Sequence, residues 1–413
     1  MRRVAVTGMG VVSPLGNSAA EIIANAVAGR SAVRRLEQPW SKRLAAPLAA
    51  VAPFDGADHF DPPKLRMLDR VSQFALVAAK RAMDDAHFDI GNADRRRIGV
   101  FLGTGMGGSL SNDEGYQTLY GEQSDRIKPF TILTGMSNAP AAWIGIEFDL
   151  TGPNLTYSTA CSSSSVSIGE AWTRLRHGEL DVAIAGGAEA PLSFGSLKAW
   201  EALHTLASID AADASTSCKP FAGNRSGMVL GEGAAIVVLE DWAHAIQRGA
   251  GIHGELIGYG LATDASHITR PTAGGQAAAM QAALQAAACP AEWINCINAH
   301  GTGTQANDAV ETAAIKQVFG ARAYRTPISA TKAIHGHLLG ASGALELVLC
   351  LLSMQQKVLL PTMHLDLPAP NCDLDYVPNG ARHGVDVDII MSNSFAFGGT
   401  NAVLLARSAR HPS

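Results

Sequence analysis

The chain reads as an α/β protein built of largely parallel or mixed sheets covered by helices. Three observations predict this. Short apolar runs recur along the chain, and segments with helical spacing of apolar residues lie between several of them. Many of the runs end in glycine or in polar residues, as strands do when their ends face a common cleft. The composition is 47% hydrophobic and 17% charged, with 42 glycines in 413 residues. That is the profile of a compact enzyme, not of a disordered or fibrous chain.

Residues 3–10 form the first predicted strand, buried and ending in glycine. The pattern Gly8-Met9-Gly10 touches a dinucleotide fingerprint, but Ser13 stands at the third glycine and Pro14 breaks the helix that would hold the pyrophosphate. Residues 32–65 are irregular, with Pro47, Pro53, Pro62 and Pro63. A helix follows, with Val71, Phe74, Ala75, Ala78 and Ala82 on one face. Lys64, Arg66 and Arg70 at its start are either ordinary solvated charges or a small docking patch for an acidic partner. Residues 97–103 are the next strand, and a glycine-rich turn at 104–108 leads into a long excursion to about residue 145. Strands are predicted at 153–157, 181–187 and 233–239, and in the second half at 254–260, 296–300, 327–331, 388–392 and 401–405. Helical patterns cover 166–176, 275–288, 308–319 and 340–355.

The net charge of −5 gives no reason to expect nucleic-acid binding. The six cysteines contain no CxxC pair, so neither a zinc site nor a disulfide framework is signalled. Met1-Arg2-Arg3 runs directly into a strand, with no signal-peptide core and no apolar run of about 20 residues. The expectation is a cytoplasmic protein with no membrane partner.

Cys161 lies between a predicted strand and a predicted helix. A side chain at such a turn is exposed at the positive end of the helix dipole, which predicts a thiol pKa below ~8.5. Three further segments end strands with reactive residues: 298–304 with His300, Thr302 and Thr304; 331–343 with Lys332, His335 and His337; and 392–401 with Phe397, Gly398 and Gly399. His335 and His337 are two apart and share a face if extended, but a third ligand with recognisable metal spacing is absent.

Taken together these motifs carry a resemblance. Thr159-Ala160-Cys161-Ser162, Asn298-Ala299-His300-Gly301-Thr302, Thr331-Lys332, the 336–343 segment and Phe397-Gly398-Gly399-Thr400-Asn401 resemble, in order and separation, the elongating, type II-like β-ketoacyl-acyl-carrier-protein synthases of the thiolase superfamily. The resemblance spans essentially the whole chain. Two histidines separate it from the initiating branch, and the lack of a second C-terminal cysteine motif from true thiolases.

The resemblance implies a five-layered αβαβα sandwich of two similar halves, 1–250 with the nucleophile and 251–413 with the histidines, lysine and gate. It implies a decarboxylative Claisen condensation. Cys161 would be the nucleophile, and the N–H groups of Cys161 and Phe397 the oxyanion hole, with Phe397 and Gly398 in a mobile gate. His300 and His337 would donate to the malonyl thioester carbonyl. Lys332 would act electrostatically, with Glu311 as its ion-pair partner. Thr302 and Thr304 would bind phosphopantetheine, and Met106, Trp200 and Phe397 would line the acyl pocket. Asn298, Ala299, Glu346, Ser392 and Asn393 would hold a structural Na+ or K+; no cofactor is implied for catalysis. His335 would be a bystander. The implied partners are an acyl carrier protein and a second subunit, either a homodimer mate contacting the 105–145 excursion or a chain-length-factor-like chain.

This sequence departs from the family at Ala396, where glycine is usual before the phenylalanine, at Trp200, where phenylalanine is expected, and at His204, where arginine is usual on the carrier-docking rim. The run Cys161–Ser165 is also more polar than in many housekeeping relatives. Two substrate readings follow: primary fatty-acid elongation, or an iterative ketosynthase of a polyketide or (aryl) polyene pathway. Two further classes compete. A chain-length factor would lack the nucleophile, and a cysteine hydrolase would leave Lys332 and the second histidine unexplained.

Overall fold

The computed structural model describes residues 1–409. Its first half contributes strands β1 (Val4–Val12), β2 (Ile98–Gly103), β3 (Asn154–Tyr157), β4 (Val182–Glu189) and β5 (Gly233–Asp241). The second contributes β6 (Gly254–Thr263), β7 (Cys296–Asn298), β8 (Ile328–Ser329), β9 (Ile389–Phe395) and β10 (Thr400–Ser408). The spatial order is β8-β7-β9-β10-β6-β1-β5-β4-β2-β3. Each half therefore has the order third, second, fourth, fifth, first. In each, the second strand runs parallel to the third and fourth, and the fifth is antiparallel to both neighbours. The halves join where Val4, Ala5 and Val6 pair with Leu256, Glu255 and Gly254.

Strand side chains alternate between the two faces of each half-sheet. Ile98, Val100, Leu102, Val182 and Ile184 pack on helix α1 (Arg70–Asp85). Phe101, Ala183 and Ala185 face the opposite way, onto α2 (Ser163–Arg176) and the apolar α5 (Ser342–Gln356). From the second half Cys296, Ile390 and Leu404 meet that same central layer, while Ile297, Met391 and Val403 face α3 (Ala273–Ala286) and α4 (Gln305–Phe319). The layers are thus α1, half-sheet, α2 with α5, half-sheet, α3 with α4: the five-layered sandwich. Leu339–Gln356 passes a length-and-hydropathy test for a membrane span, but 89% of it is buried as this central layer.

Gly8 and Gly10 are where α1 crosses β1. A Cβ there would lie 2.1 Å from the Ala82 carbonyl oxygen and 2.0 Å from that of Ala78. These glycines serve close packing of backbone on backbone, which accounts for the fingerprint-like pattern.

Candidate active site

The site forms where strand ends of both halves meet. Cys161 follows β3, His300 follows β7, Lys332 and His337 follow β8, and Phe397 follows β9. Residues far apart in sequence converge because the central helices α2 and α5 start side by side. Ala344 N–H donates to Ser164 Oγ at 3.0 Å, and the hydroxyls of Ser165 and Ser394 lie 2.8 Å apart. Ser162 and Ser163 donate to the carbonyls of Thr159 and Ala160 at 2.9 and 2.6 Å. All four serines are fully buried. They fasten the helix ends and do not line the cavity at Cys161. The polarity of this run therefore says nothing about the substrate.

Cys161 sits on a single turn, Ala160–Ser162, with Ala160 in the left-handed region at φ 51°. The expectation of a lowered thiol pKa is corrected. Cys161 is only 6% exposed, and burial pushes its thiol up to about 12. Lys332 and the N–H groups of Phe397 and of Cys161 itself pull the other way, and Glu189 adds to the rise. Desolvation of a thiolate outweighs one helix terminus here. Cys161 rests as a thiol, and the group beside it is His337, whose Nε2 lies 3.0 Å from Sγ. His337 Nδ1 lies 2.8 Å from Ser342 Oγ.

The His300 and His337 rings are 5.4 Å apart and edge-on at 82°. The nitrogen and sulfur ligand atoms of Cys161, His300 and His337 fall within 4.8 Å of one another. Burial, then the Lys332 ammonium, hold both imidazoles well below their ordinary value, so they are neutral. The same ammonium, 3.4 Å from His300 Nδ1, disfavours a metal cation in this cluster.

The ion-pair assignment also needs correction. Lys332 is fully buried, and its partner is Glu346 on α5, not Glu311. Glu311 instead accepts the backbone N–H groups of His300 and Gly301 at 2.8 and 2.9 Å, and the amides of Asn307 and Asn393 at 3.2 and 3.3 Å. It fixes the His300 turn from α4. Its geometric reason is its place on the face of α4 that meets this turn, whereas α5 runs past Lys332.

Thr302 and Thr304 line the cavity, their hydroxyls 2.9 Å apart. Thr304 also caps α4 by accepting the Asn307 N–H at 3.2 Å. Phe397 stacks on Trp200 with ring centroids 6.0 Å apart and an interplanar angle of 23°. Met106, Trp200 and Ala396 pack around the apolar cluster of Cys161, Met228, Leu230 and Leu339. In the loop after β9 the Gly399 N–H donates to the Ala396 carbonyl at 3.0 Å, closing a turn with Gly398 at φ 85°. Positive φ at that position is what a type II turn requires. Ala396 lies outside the left-handed region, so its methyl group causes no backbone strain here. The Gly398 N–H donates to the Ile268 carbonyl at 2.8 Å.

Of the five residues for a monovalent cation, Glu346 Oε2 and Asn393 Oδ1 are buried oxygens with no hydrogen-bond partner among the described residues, which suits a hard cation. Glu346 Oε1 is already taken by Lys332. Asn298 Nδ2 donates to Ser392 Oγ at 3.3 Å. His335 points away from the cavity, its Nε2 3.0 Å from Thr331 Oγ1. Lys64 and Arg70 are engaged by Glu147 and Glu232, which leaves Arg66 as the exposed charge of the suggested docking patch. His204 is exposed, at φ 57° just past a helix end.

Sequence reading missed Glu189 and Ser342. Glu189 is fully buried and accepts the N–H groups of Gly105, Met106 and Gly340. The available signal was an acid closing the otherwise apolar run of β4.

The chain matches the "Beta-ketoacyl synthase, N-terminal domain" family over residues 1–245 and the "Beta-ketoacyl synthase, C-terminal domain" family over 253–366. It is 41% identical to Nodulation protein E of Rhizobium meliloti, over 98% of both chains. It is 40% identical to 3-oxoacyl-[acyl-carrier-protein] synthase 2 of Coxiella burnetii, again over 98% of both. Among solved structures, the ishigamide ketosynthase/chain length factor superposes with a TM-score of 0.92 at 34% identity, over 98% of this chain and 99% of that one. A beta-ketoacyl synthase from Burkholderia phymatum does so at 0.92 and 37%, over 99% and 100%. A type II polyketide ketosynthase solved with its acyl-carrier protein and a hexaketide gives 0.92 at 31%, over 99% of each. Matched from end to end in sequence and fold, with a cysteine and two histidines meeting at its strand ends, the chain belongs to the beta-ketoacyl synthase family.

Proposed function

We propose that the enzyme condenses an acyl group held on Cys161 with malonyl-acyl carrier protein, giving a β-ketoacyl carrier protein and CO2. The observation that carries this reading is the convergence of Cys161 Sγ and the two neutral imidazoles within 4.8 Å. In the first half-reaction the sulfur attacks the acyl thioester as His337 Nε2 takes its proton. That proton returns to the departing pantetheine thiol. The N–H groups of Cys161 and Phe397, both directed at the sulfur, stabilise the tetrahedral alkoxide. In the second, the malonyl C–C bond to the carboxylate breaks, CO2 leaves, and the electron pair becomes an enolate. His300 donates from Nε2 to the enolate oxygen, where charge grows toward the transition state, and His337 joins it once its remaining proton has moved from Nδ1, beside Ser342 Oγ, to Nε2. The enolate carbon attacks the acyl-Cys161 carbonyl and expels the sulfur as a thiolate, which takes up a proton from solvent to return to the thiol.

Thr302 and Thr304 position the phosphopantetheine arm, and Met106, Trp200 and Phe397 bound the acyl chain. Asn298, Ala299, Glu346, Ser392 and Asn393 hold a monovalent cation that stiffens the strand ends. The partners are an acyl carrier protein and a second subunit. Exposed Tyr116, Tyr120, Ile132 and Leu133 in the 105–145 excursion suit burial against that subunit, whether the same chain or a chain-length-factor-like one. The enzyme works in the cytoplasm. Release of CO2 from malonyl-acyl carrier protein tests the reading, and its absence counts against condensation.

A second substrate reading is an iterative ketosynthase of a polyketide or polyene pathway. It is supported by the Trp200–Phe397 stack, which sets the bulkier indole against the cavity-lining phenylalanine, and by the likeness to the ishigamide and hexaketide-bound ketosynthases. Comparing saturated with 2-unsaturated acyl carriers separates the two. Equal use of long saturated chains sinks the polyene reading.

A further inference from the structure

Glu189 ends β4 near enough to Cys161 to raise its thiol pKa, and no step above uses it. It is fully buried, and four donors converge on its carboxylate. Oε2 accepts the Gly105 N–H at 2.7 Å and the Gly340 N–H at 2.9 Å. Oε1 accepts the Met106 N–H at 3.0 Å and the Thr104 hydroxyl at 3.2 Å. Thr104 Oγ1 in turn accepts the Gly107 N–H at 3.1 Å, so its proton is directed at Glu189.

These donors come from two separate parts of the chain. Gly105 and Met106 belong to the turn after β2, and Met106 packs against the Cys161 cluster. Gly340 belongs to the turn after His337, where Leu339 sits at φ 44° and packs on the same cluster. Space is tight at this junction. A Cβ on Gly340 would lie 2.5 Å from the Gly105 nitrogen and 2.7 Å from Glu189 Oε2. One side chain from the first half therefore ties the acyl-pocket wall to the histidine-bearing turn of the second half.

We propose that Glu189 is a positioning residue for acyl transfer, clamping the Gly105–Met106 turn to Gly340 so that pocket wall and His337 turn keep one register around Cys161. This rests on the condensing reading of the site. Only an acceptor at both oxygens satisfies all four donors. A glutamine fills the same volume, but its amide nitrogen must face at least one backbone N–H, which orphans a buried donor. An aspartate keeps the charge and two acceptors on a shorter stem.

The test is single-turnover transfer of short and long saturated acyl groups from carrier-protein thioesters to Cys161, in wild type, Glu189→Gln and Glu189→Asp. Glu189→Gln is expected to lower kcat/KM about tenfold to a hundredfold. It is also expected to change the long-to-short ratio by at least about threefold. Glu189→Asp should recover part of both. A mere loss of folded protein lowers the rates but leaves the ratio unchanged. Should Glu189→Gln not fold, Thr104→Val removes a single donor and should move the ratio in the same direction, by less. Folded variants with wild-type rates and ratio overturn the clamp. A wild-type enzyme that takes no acyl group onto Cys161 is a failure of the condensing reading instead.

Discussion

The Lys332 ammonium lies 3.4 Å from His300 Nδ1, and this contact decides which imidazole nitrogen carries the proton. An ammonium group has donors and no acceptor. Nδ1 must therefore accept, and the His300 proton resides on Nε2, the nitrogen left to meet a thioester oxygen. Lys332 is itself held by Glu346, which burial pushes up to about 7 while the lysine pulls it back.

Lys332→Ala removes the tautomer lock and leaves Glu346 buried without its cation. Urea unfolding should show a loss of ~3–5 kcal/mol. Decarboxylation of malonyl carrier by the folded variant should fall at least about tenfold. The double variant Lys332→Met with Glu346→Leu should recover stability without recovering decarboxylation. Wild-type decarboxylation by Lys332→Ala would remove the lysine from the account.

The buried histidines should leave the acid side of the activity profile flat. His300 and His337 lie well below their ordinary 6.5, chiefly through burial. Both stay neutral, and decarboxylation should show no inflection near 6.5 as pH falls. Stability behaves otherwise. These histidines and His335, lowered to about 3, take up protons on unfolding once pH drops below 6.5. Their contribution is full above 6.5 and is lost as pH falls toward the lowered values. Initial rates between about pH 5.5 and 8, taken before any unfolding, check this. Half-loss of rate near 6.5 contradicts it.

The buried thiol sets the alkaline side. With Cys161 pushed up to about 12, iodoacetamide should alkylate the resting enzyme slowly at neutral pH. The rate should rise about tenfold per unit through pH 9 without a plateau. A plateau below pH 8 would restore the low-pKa thiolate that the helix terminus alone predicts.

The strands and helices were legible because their signals are local, whereas their five-layered arrangement followed only from the family resemblance. Apolar runs and helical spacing located the strands and central helices, and strand-end motifs located Cys161, His300 and His337. Contacts between segments were not. Pairing of Lys332 with Glu346 rather than Glu311 depends on how α5 passes β8 in space, which no spacing encodes. The Cys161 pKa failed for a related reason: the helix terminus is visible in sequence, whereas the depth of burial depends on both halves. The serines of 162–165 read as pocket polarity, yet their hydroxyls are consumed in joining helix ends.

Gate opening should answer to the Trp200–Phe397 stack. Such a pair is worth ~0.5–1.5 kcal/mol beyond its buried area. Trp200→Ala should speed acyl loading about twofold to tenfold, with malonyl decarboxylation little changed. Gly398→Ala should also speed loading, because φ 85° is strained for any residue with a Cβ and the strain weakens the observed turn, as Trp200→Ala weakens the stack. Stopped-flow loading with a fluorescent acyl carrier reads both. Unchanged or slower loading by folded Gly398→Ala would mean that the turn is not the gate.

The central claim is that Cys161 carries the growing chain. The direct measurement is mass spectrometry of the intact enzyme and its Cys161 peptide after incubation with acyl-carrier thioester, before and after malonyl carrier is added. The account predicts one acyl mass on Cys161, discharged by malonyl carrier with CO2 release, and none in Cys161→Ala. An acyl group on another residue, or full turnover by Cys161→Ala, would contradict it.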